Sequence, residues 1–455
     1  MARAVEQNLW QETETIGFSA PELCERTTAD VVIIGGGYTG LSAALHLAEA
    51  GADVCVLEAG QVGAGGSGRS VGLVNSGLWL PPDDVEKQLG AQPGRKLNQV
   101  LADAPELVFD LIDKYDIPCD AVQQGTLHCA VGARGMKDLQ SRYRQRRERG
   151  AVVSLLDADE TARRTGTGAY AGALFDPRAG TIQPKSYVAG LARAATKLGV
   201  RVYEQSPAVA LSRAGNGWEV RTPTASVSAN TVIQATNAYS RWGAHDFPYT
   251  PVCFFQMATA PIPASMRNRI LPRGEGCWDT GLVMTSFRVD AAGRLLIGGV
   301  GDLDNMGGGT HSAWARRKVA QLFPGLAGTD FEHAWTGRIA MSRDHLPKIT
   351  NLGERGLAIY GFSGRGIGPG TAFGKALADW VATGDEGALP LPVQSPMSDP
   401  LSRIKAPYFE AGATLFHAVD ARRSGFTAVE AREGAVADRR PVNPGRVSNE
   451  TSGRH

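Results

Sequence analysis

The chain has 455 residues, more than one hydrophobic core usually organises, and at roughly 150 residues per domain it is expected to hold two folding units. Hydrophobic residues at 43%, charged residues at 20% and 56 glycines exclude collagen-like and disordered chains and point to tight turns or backbone contacts with a ligand. Forty-seven basic against forty-six acidic side chains leave a formal charge of +1, so no global field favours nucleic acid or an anionic membrane and the expected partner is small.

The opening stretch MARAVEQNLWQETET lacks the basic start and apolar run of a secretory signal, and no segment offers about eighteen uninterrupted apolar residues. A cytoplasmic chain without a membrane span is expected. Residues 1–29 read as an arm lying over the domain that follows. DVVII at 30–34 is a continuous apolar run suited to a strand buried on both faces, and Gly35 to Gly40 make a turn. Leu41, Ala44, Leu45, Leu47 and Ala48 then share one side of a helix that Gly51 closes, and DVCVLEAG supplies the next parallel strand.

QVGAGGSGRSVGLVNSG follows as a glycine-rich loop pressed against a ligand. Residues 95–118 and 135–150 predict helices, the second with a basic run, SRYRQRRERG, that reads as a solvated face. RVYEQSPAVALSRA, GWEVRT and NTVIQATNA form a meander returning to the first domain, while residues 250–335 alternate as an antiparallel sheet does. GLAIYGFSGRGIGPGTAFGKALADWVATG then gives a strand, a second glycine-rich turn and a helix ending at Gly384. Beyond about residue 425, small and charged residues predict a disordered tail. Cys24, Cys55, Cys119, Cys129, Cys253 and Cys277 show neither CxxC nor zinc-site spacing and read as reduced thiols, with no metal expected.

Gly35-Gly36-Gly37-Tyr38-Thr39-Gly40 satisfies GxGxxG in the context that gives the motif meaning. It follows a strand, opens a helix, and has Glu58 at the end of the next strand, eighteen residues after Gly40. Gly35 permits the turn, Gly37 lets the backbone approach a pyrophosphate, Gly40 allows close helix–strand packing, and Glu58, with Ala59 beside it, accepts ribose hydroxyls. That acid suits the adenosine ribose of NAD or FAD alike. The loop Gly63 to Gly72 stands where an NAD domain would continue into a crossover helix, which favours the longer cofactor.

ADVVIIGGGYTGLSAALHLAEAG, VLEAGQVGAGGSGRS, ATNAYS, WTGRIAMSRDHLPKI and GFSGRGIGPG occur in this order. Together they resemble the D-amino-acid oxidase superfamily of flavin amine oxidoreductases, especially its gamma-glutamylputrescine oxidase branch, over roughly residues 8–420. The resemblance implies an α/β chain: a Rossmann-type FAD-binding domain with an interleaved α+β substrate domain built on an antiparallel sheet. The expected division is 30–90, 150–245 and 336–423 for FAD, 91–149 and 246–335 for substrate, and 424–455 for the tail.

It also implies site residues. Ser67, Gly68, Arg69 and Ser70 would contact pyrophosphate and flavin, with Gly72 and Leu73 closing the turn. Ala208 or Val209 would meet adenine through backbone groups, and Ala235 would sit beside the pyrophosphate. Gly364, Arg365, Gly366 and Ile367 would approach the flavin pyrimidine edge, their N–H groups stabilising negative charge on reduced flavin. Ser70 and Val71 depart from the branch, which has asparagine and glycine there. The cysteine or histidine that links flavin covalently in sarcosine-oxidase relatives is missing, so non-covalent FAD is expected. The basic residues that hold a substrate carboxylate in those relatives fall at Ser76 and Gly368, so that anchor is missing. An amine whose acidic group, if it has one, lies farther from the reacting carbon is expected over a simple N-methyl amino acid. Arg288, Arg338 and Arg343 are candidate anion ligands, with structural ion pairs as the competing reading.

Oxidising an amine with flavin requires a neutral amine, a C–H bond aimed at N5 and exclusion of water. Trp79, Phe254, Phe255, Trp278 and Trp335 are candidates for an aromatic cage, ordinary core being the alternative for each. His128, His333 and His345 receive no catalytic role. The expected reaction takes a primary or secondary amine (amino acid, polyamine derivative or amino sulfonate) to an imine by hydride transfer to flavin N5, and hydrolysis then gives a carbonyl. Electrons would go to oxygen, a quinone or a partner protein. A flavin-bearing subunit of a multi-subunit dehydrogenase and an NAD-dependent dehydrogenase stand as alternatives.

Overall fold

The structure is a computed structural model that describes residues 8–240, 247–397 and 405–420. A nine-stranded sheet is centred on Thr27–Ile34, which pairs in parallel with Ser226–Gln234 on one side and Val54–Leu57 on the other. Arg201–Tyr203 and Gly356–Tyr360 extend it in parallel. Residues 31–34 and 54–57 are all buried, as strands covered on both faces must be, and this explains the unbroken apolar runs of the sequence.

Two helices, Tyr38–Glu49 and Ile367–Thr383, each follow a glycine-rich turn and pack against one another. Their approach depends on glycine: a Cβ at Gly374 would stand 2.6 Å from both Thr39 O and Ser42 Cβ. The packing brings turns more than 300 residues apart in sequence to the same edge of the sheet.

An eight-stranded sheet runs Phe331–Ser342, Tyr249–Pro261, Arg294–Val300, Ser286–Val289, Gly276–Asp279, Thr126–Cys129, Ala173–Asp176, Ser154–Leu156. Its pairs are antiparallel except Gly276–Asp279 with Thr126–Cys129. Two expected domain boundaries shift here. Ala173–Asp176 and Ser154–Leu156 belong to this second sheet because they complete the edge of Thr126–Cys129. No boundary falls at 336, because Phe331–Ser342 pairs with Tyr249–Pro261 as one continuous strand.

The helices expected at 95–118 and 135–150 are Ala91–Lys114 and Gly132–Glu148. The second is not simply a solvated basic face. Arg146 is ion-paired with the buried Asp176, and Arg142 bonds Asp138 and the carbonyl of Trp79. The N-terminal arm does more than lie over the first domain. Leu9 and Trp10 are buried against Ala258, Leu296 and Trp335 of the second sheet, so the arm ties the two sheets together. No helix among the described residues is long and apolar enough to cross a membrane. The expected tail, 424–455, lies outside the described residues.

Candidate cofactor and substrate site

A cavity of about 1020 Å³ lies at the C-terminal ends of the first sheet's parallel strands and reaches the face of the second sheet. At its first end the lining is largely main chain: Gly35, Gly37, Tyr38, Thr39, Glu58, Ala59 and Ala235 all border it. Gly35 has φ +112°, and a Cβ there would stand 2.8 Å from Ala235 O. A Cβ on Gly37 would meet Ser67 Oγ at 2.9 Å, and one on Gly40 would meet Gly35 O at 2.0 Å. Gly40 therefore packs helix on strand and does not line the cavity. Glu58 accepts the N–H groups of Gly36 at 2.7 Å and Gly60 at 2.9 Å, while burial pushes its carboxyl up.

From the second loop Ser67, Arg69, Ser70 and Leu73 line the cavity, while Gly68 and Gly72 pack behind it. A Cβ on Gly68 would stand 2.3 Å from Gly63 O, and one on Gly72 2.2 Å from Ile182 O. The Arg69 guanidinium donates to Ala64 O and Thr336 O, fastening the loop to the second sheet. Ala208 borders the cavity. Val209 does not: it is half exposed, and its N–H donates to Arg221 O at 2.7 Å, so the adenine expectation falls to Ala208. Gly364, Arg365, Gly366 and Ile367 arrive from the second glycine turn. The length of the cavity, its glycine cradle and the acid at Glu58 fit a dinucleotide lying along it.

At the other end the lining is side chain. Trp79 and Trp278 meet edge to face at 5.4 Å. The Arg365 guanidinium lies 4.2 Å over the Trp278 ring and 5.2 Å from that of Trp79. Only 5% of Arg365 is exposed, and Nη1 and Nη2 are both buried without a hydrogen-bond partner among the described residues. Burial, then the charges of Arg146 and Arg142, push this guanidinium down to about 9. Trp79 Nε1 and Gln256 Oε1 are likewise buried and unpartnered. His128 stacks on Trp278, and burial holds it neutral, well below the usual imidazole range.

Three expected substrate contacts lie elsewhere. Side chains alternate along a strand, so Phe254 and Gln256 face the cavity while Phe255 is fully buried on the opposite face against Trp314. Trp335 is core, its indole N–H donating to Arg69 O at 2.8 Å. Arg288 is fully buried and donates to the carbonyls of Ile182 and Gly72. Arg338 lines the cavity beside Tyr239, whereas Arg343 is exposed. His345 borders the cavity and His333 approaches Glu12.

Ser76 and Gly368 bring no cation, and in the second glycine turn Arg365 is the residue that places one on the cavity. Arg365 stands within the GFSGRGIGPG motif, for which the resemblance implies a backbone role only. Arg142 was concealed in the basic run, and Gln256 carried no local signal.

Two glycine turns brought side by side by packed helices, an acid ending the second strand and an antiparallel sheet closing the cavity define a flavin-dependent oxidoreductase. Residues 30–380 match the model of the FAD dependent oxidoreductase family, abbreviated DAO, and the chain belongs to that family. It is 32% identical to the probable oxidoreductase OrdL of Haemophilus influenzae over 81% of this chain and 86% of the relative. It is 31% identical to gamma-glutamylputrescine oxidoreductase of Escherichia coli over 78% of this chain and 84% of the relative.

Among solved structures, glycine oxidase from Geobacillus kaustophilus superposes with a TM-score of 0.64 at 23% identity, covering 80% of this chain and 96% of that one. L-Amino acid deaminase from Proteus myxofaciens in complex with anthranilate gives 0.68 at 18% identity, covering 84% and 95%. Both share the fold. The cofactor is FAD, held non-covalently as is typical of the family.

Proposed function

We propose that the protein oxidises a primary or secondary amine bearing an anionic group, that FAD occupies the glycine-built end of the cavity, and that Arg365 holds the anion at the other end. The carrying observation is the Arg365 guanidinium, buried between two indoles with both Nη atoms unpartnered among the described residues. A desolvated cation in this state calls for an anion, and a carboxylate, sulfonate or phosphonate offers oxygens to both Nη atoms. Bound FAD supplies a hydride acceptor at N5.

The protein's own residues do the rest. Trp79 and Trp278 exclude water and fix the guanidinium plane. Gln256 Oε1 accepts an N–H of the substrate amine, keeping its carbon oriented. The imine leaves the site and hydrolyses to a carbonyl. Electrons then pass to oxygen, a quinone or a partner protein, and the enzyme works in the cytoplasm. The name of the Escherichia coli relative fits this reading, because a gamma-glutamyl amide of a diamine keeps a carboxylate at the end remote from the diamine's own free amino group.

The test is anaerobic bleaching of the bound flavin by matched amines. Amines carrying a carboxylate, sulfonate or phosphonate bleach it, and their uncharged analogues of equal length do so at least about tenfold more slowly. Equal rates for both sets would sink the reading.

A further inference from the structure

Five of the six main-chain carbonyls of the loop at residues 67–72 are held by donors that come from far away in sequence. Ser67 O receives the Tyr38 hydroxyl and Gly68 O receives Asn8 Nδ2 at 3.0 Å. Arg69 O receives Trp335 Nε1 and Ser70 O receives Trp10 Nε1, each at 2.8 Å. Gly72 O receives Ile182 N at 2.9 Å. A trans peptide is planar, so its carbonyl and the N–H of the following residue point in opposite directions. The two indoles therefore aim the N–H groups of Ser70 and Val71, and both residues line the cavity. Neither of these N–H groups has an acceptor among the described residues.

We propose that Trp10 and Trp335 act as an indole clamp, a pair of positioning residues that presents the Ser70 and Val71 N–H groups to negative charge on the bound cofactor. The N-terminal arm is then part of the cofactor site although none of its described residues lines the cavity. The clamp is built rigidly. The two indoles meet edge to face at 5.9 Å, the Arg288 guanidinium lies 5.7 Å from the Trp10 ring, and Gln183 Nε2 holds Trp10 O at 2.8 Å. Both tryptophans are buried, so neither is free to swing away. Two N–H groups fixed before the ligand arrives form an anion site that needs no reorganisation, as in backbone nests.

Trp10→Phe and Trp335→Phe keep an aromatic ring in the core and remove the indole N–H. The experiment titrates FAD into cofactor-free protein, following quenching of flavin fluorescence, and records the melting temperature of the cofactor-free variants separately. Each single variant is expected to bind FAD about tenfold more weakly, with the double variant weaker still. The cofactor-free melting temperatures should stay within about 4 °C of the parent. The midpoint potential of the flavin that does bind should move to a more negative value, because the N–H groups favour the more negative reduced form. FAD affinity within twofold of the parent in both single variants would overturn the clamp. So would a loss of affinity that merely tracks lost stability of the cofactor-free protein, with the potential unmoved.

Discussion

The two ends of the cavity are built of different materials, and under the proposed function each has the same task of holding negative charge away from water. The dinucleotide end uses main chain, where glycines allow close approach and N–H groups point inward. The other end uses side chains, where a guanidinium is desolvated between indoles and left without an acceptor among the described residues. A main-chain site is generic, since any backbone has N–H groups and only the absence of Cβ atoms has to be specified. A side-chain site is particular, and its chemistry changes with one residue. The proposed function therefore assigns cofactor identity to the first end and substrate identity to the second.

The strongest way to break this division is at Gly40. Gly40→Ala puts a Cβ where Gly35 O stands at 2.0 Å, a backbone clash that no rotamer relieves. We expect a cost of about 3 kcal/mol or more and protein that purifies without flavin absorbance. Normal flavin content would show that the turn is looser than its geometry.

Next comes Arg365. Arg365→Met should leave flavin content unchanged while kcat/KM for the anionic amine falls about a hundredfold to a thousandfold, with Arg365→Lys recovering part of the loss. Loss of flavin from Arg365→Met would place this side chain in the cofactor site and dissolve the division. Gln256→Leu is expected to cost about tenfold in kcat/KM through one hydrogen bond, with steady-state kinetics as the readout. An unchanged value would remove Gln256 from the substrate contacts.

The smallest effect lies outside the cavity, where residues 405–420 form a helix on the second sheet. Its His417 bonds His311 at 2.7 Å, ring to ring, and burial followed by the charges of His311, Arg317 and Lys318 push it down to about 3. A base whose folded value lies below its unfolded value of 6.5 contributes stability above pH 6.5, and that stability is lost as pH falls toward 3. Hydrogen exchange should therefore show faster exchange in this helix at pH 5 than at pH 7.5, after correction for intrinsic rates, while Tyr38–Glu49 stays protected. Equal protection of the helix at both values would remove His417 from its docking.

The same contrast explains what the sequence revealed. The first βαβ unit, both glycine turns, Glu58 and the helix ending at Gly384 were legible because each is specified by neighbours within about 30 residues. The second sheet was recognisable as antiparallel, yet its last two strands, Ala173–Asp176 and the edge strand Ser154–Leu156, were misplaced, since short strands gain their identity only from their partners in the sheet. Phe254 and Phe255 were equal candidates because strand alternation alone does not say which face meets the cavity. Arg288 and Trp335 looked like ligands because a buried arginine or tryptophan serves a loop carbonyl as readily as a substrate. Arg365, Trp79, Trp278 and Gln256 come from separate segments, and their convergence is a property of the fold.

The most direct test of the account pairs the two partners of the proposed anion contact. kcat/KM is measured for an anionic amine and its uncharged analogue, each with the parent enzyme and Arg365→Met, at equal flavin content. If the guanidinium meets the anion, removing either partner lowers kcat/KM by about a hundredfold and removing both lowers it little further. Penalties that multiply, or a substitution that slows both amines equally, would contradict it.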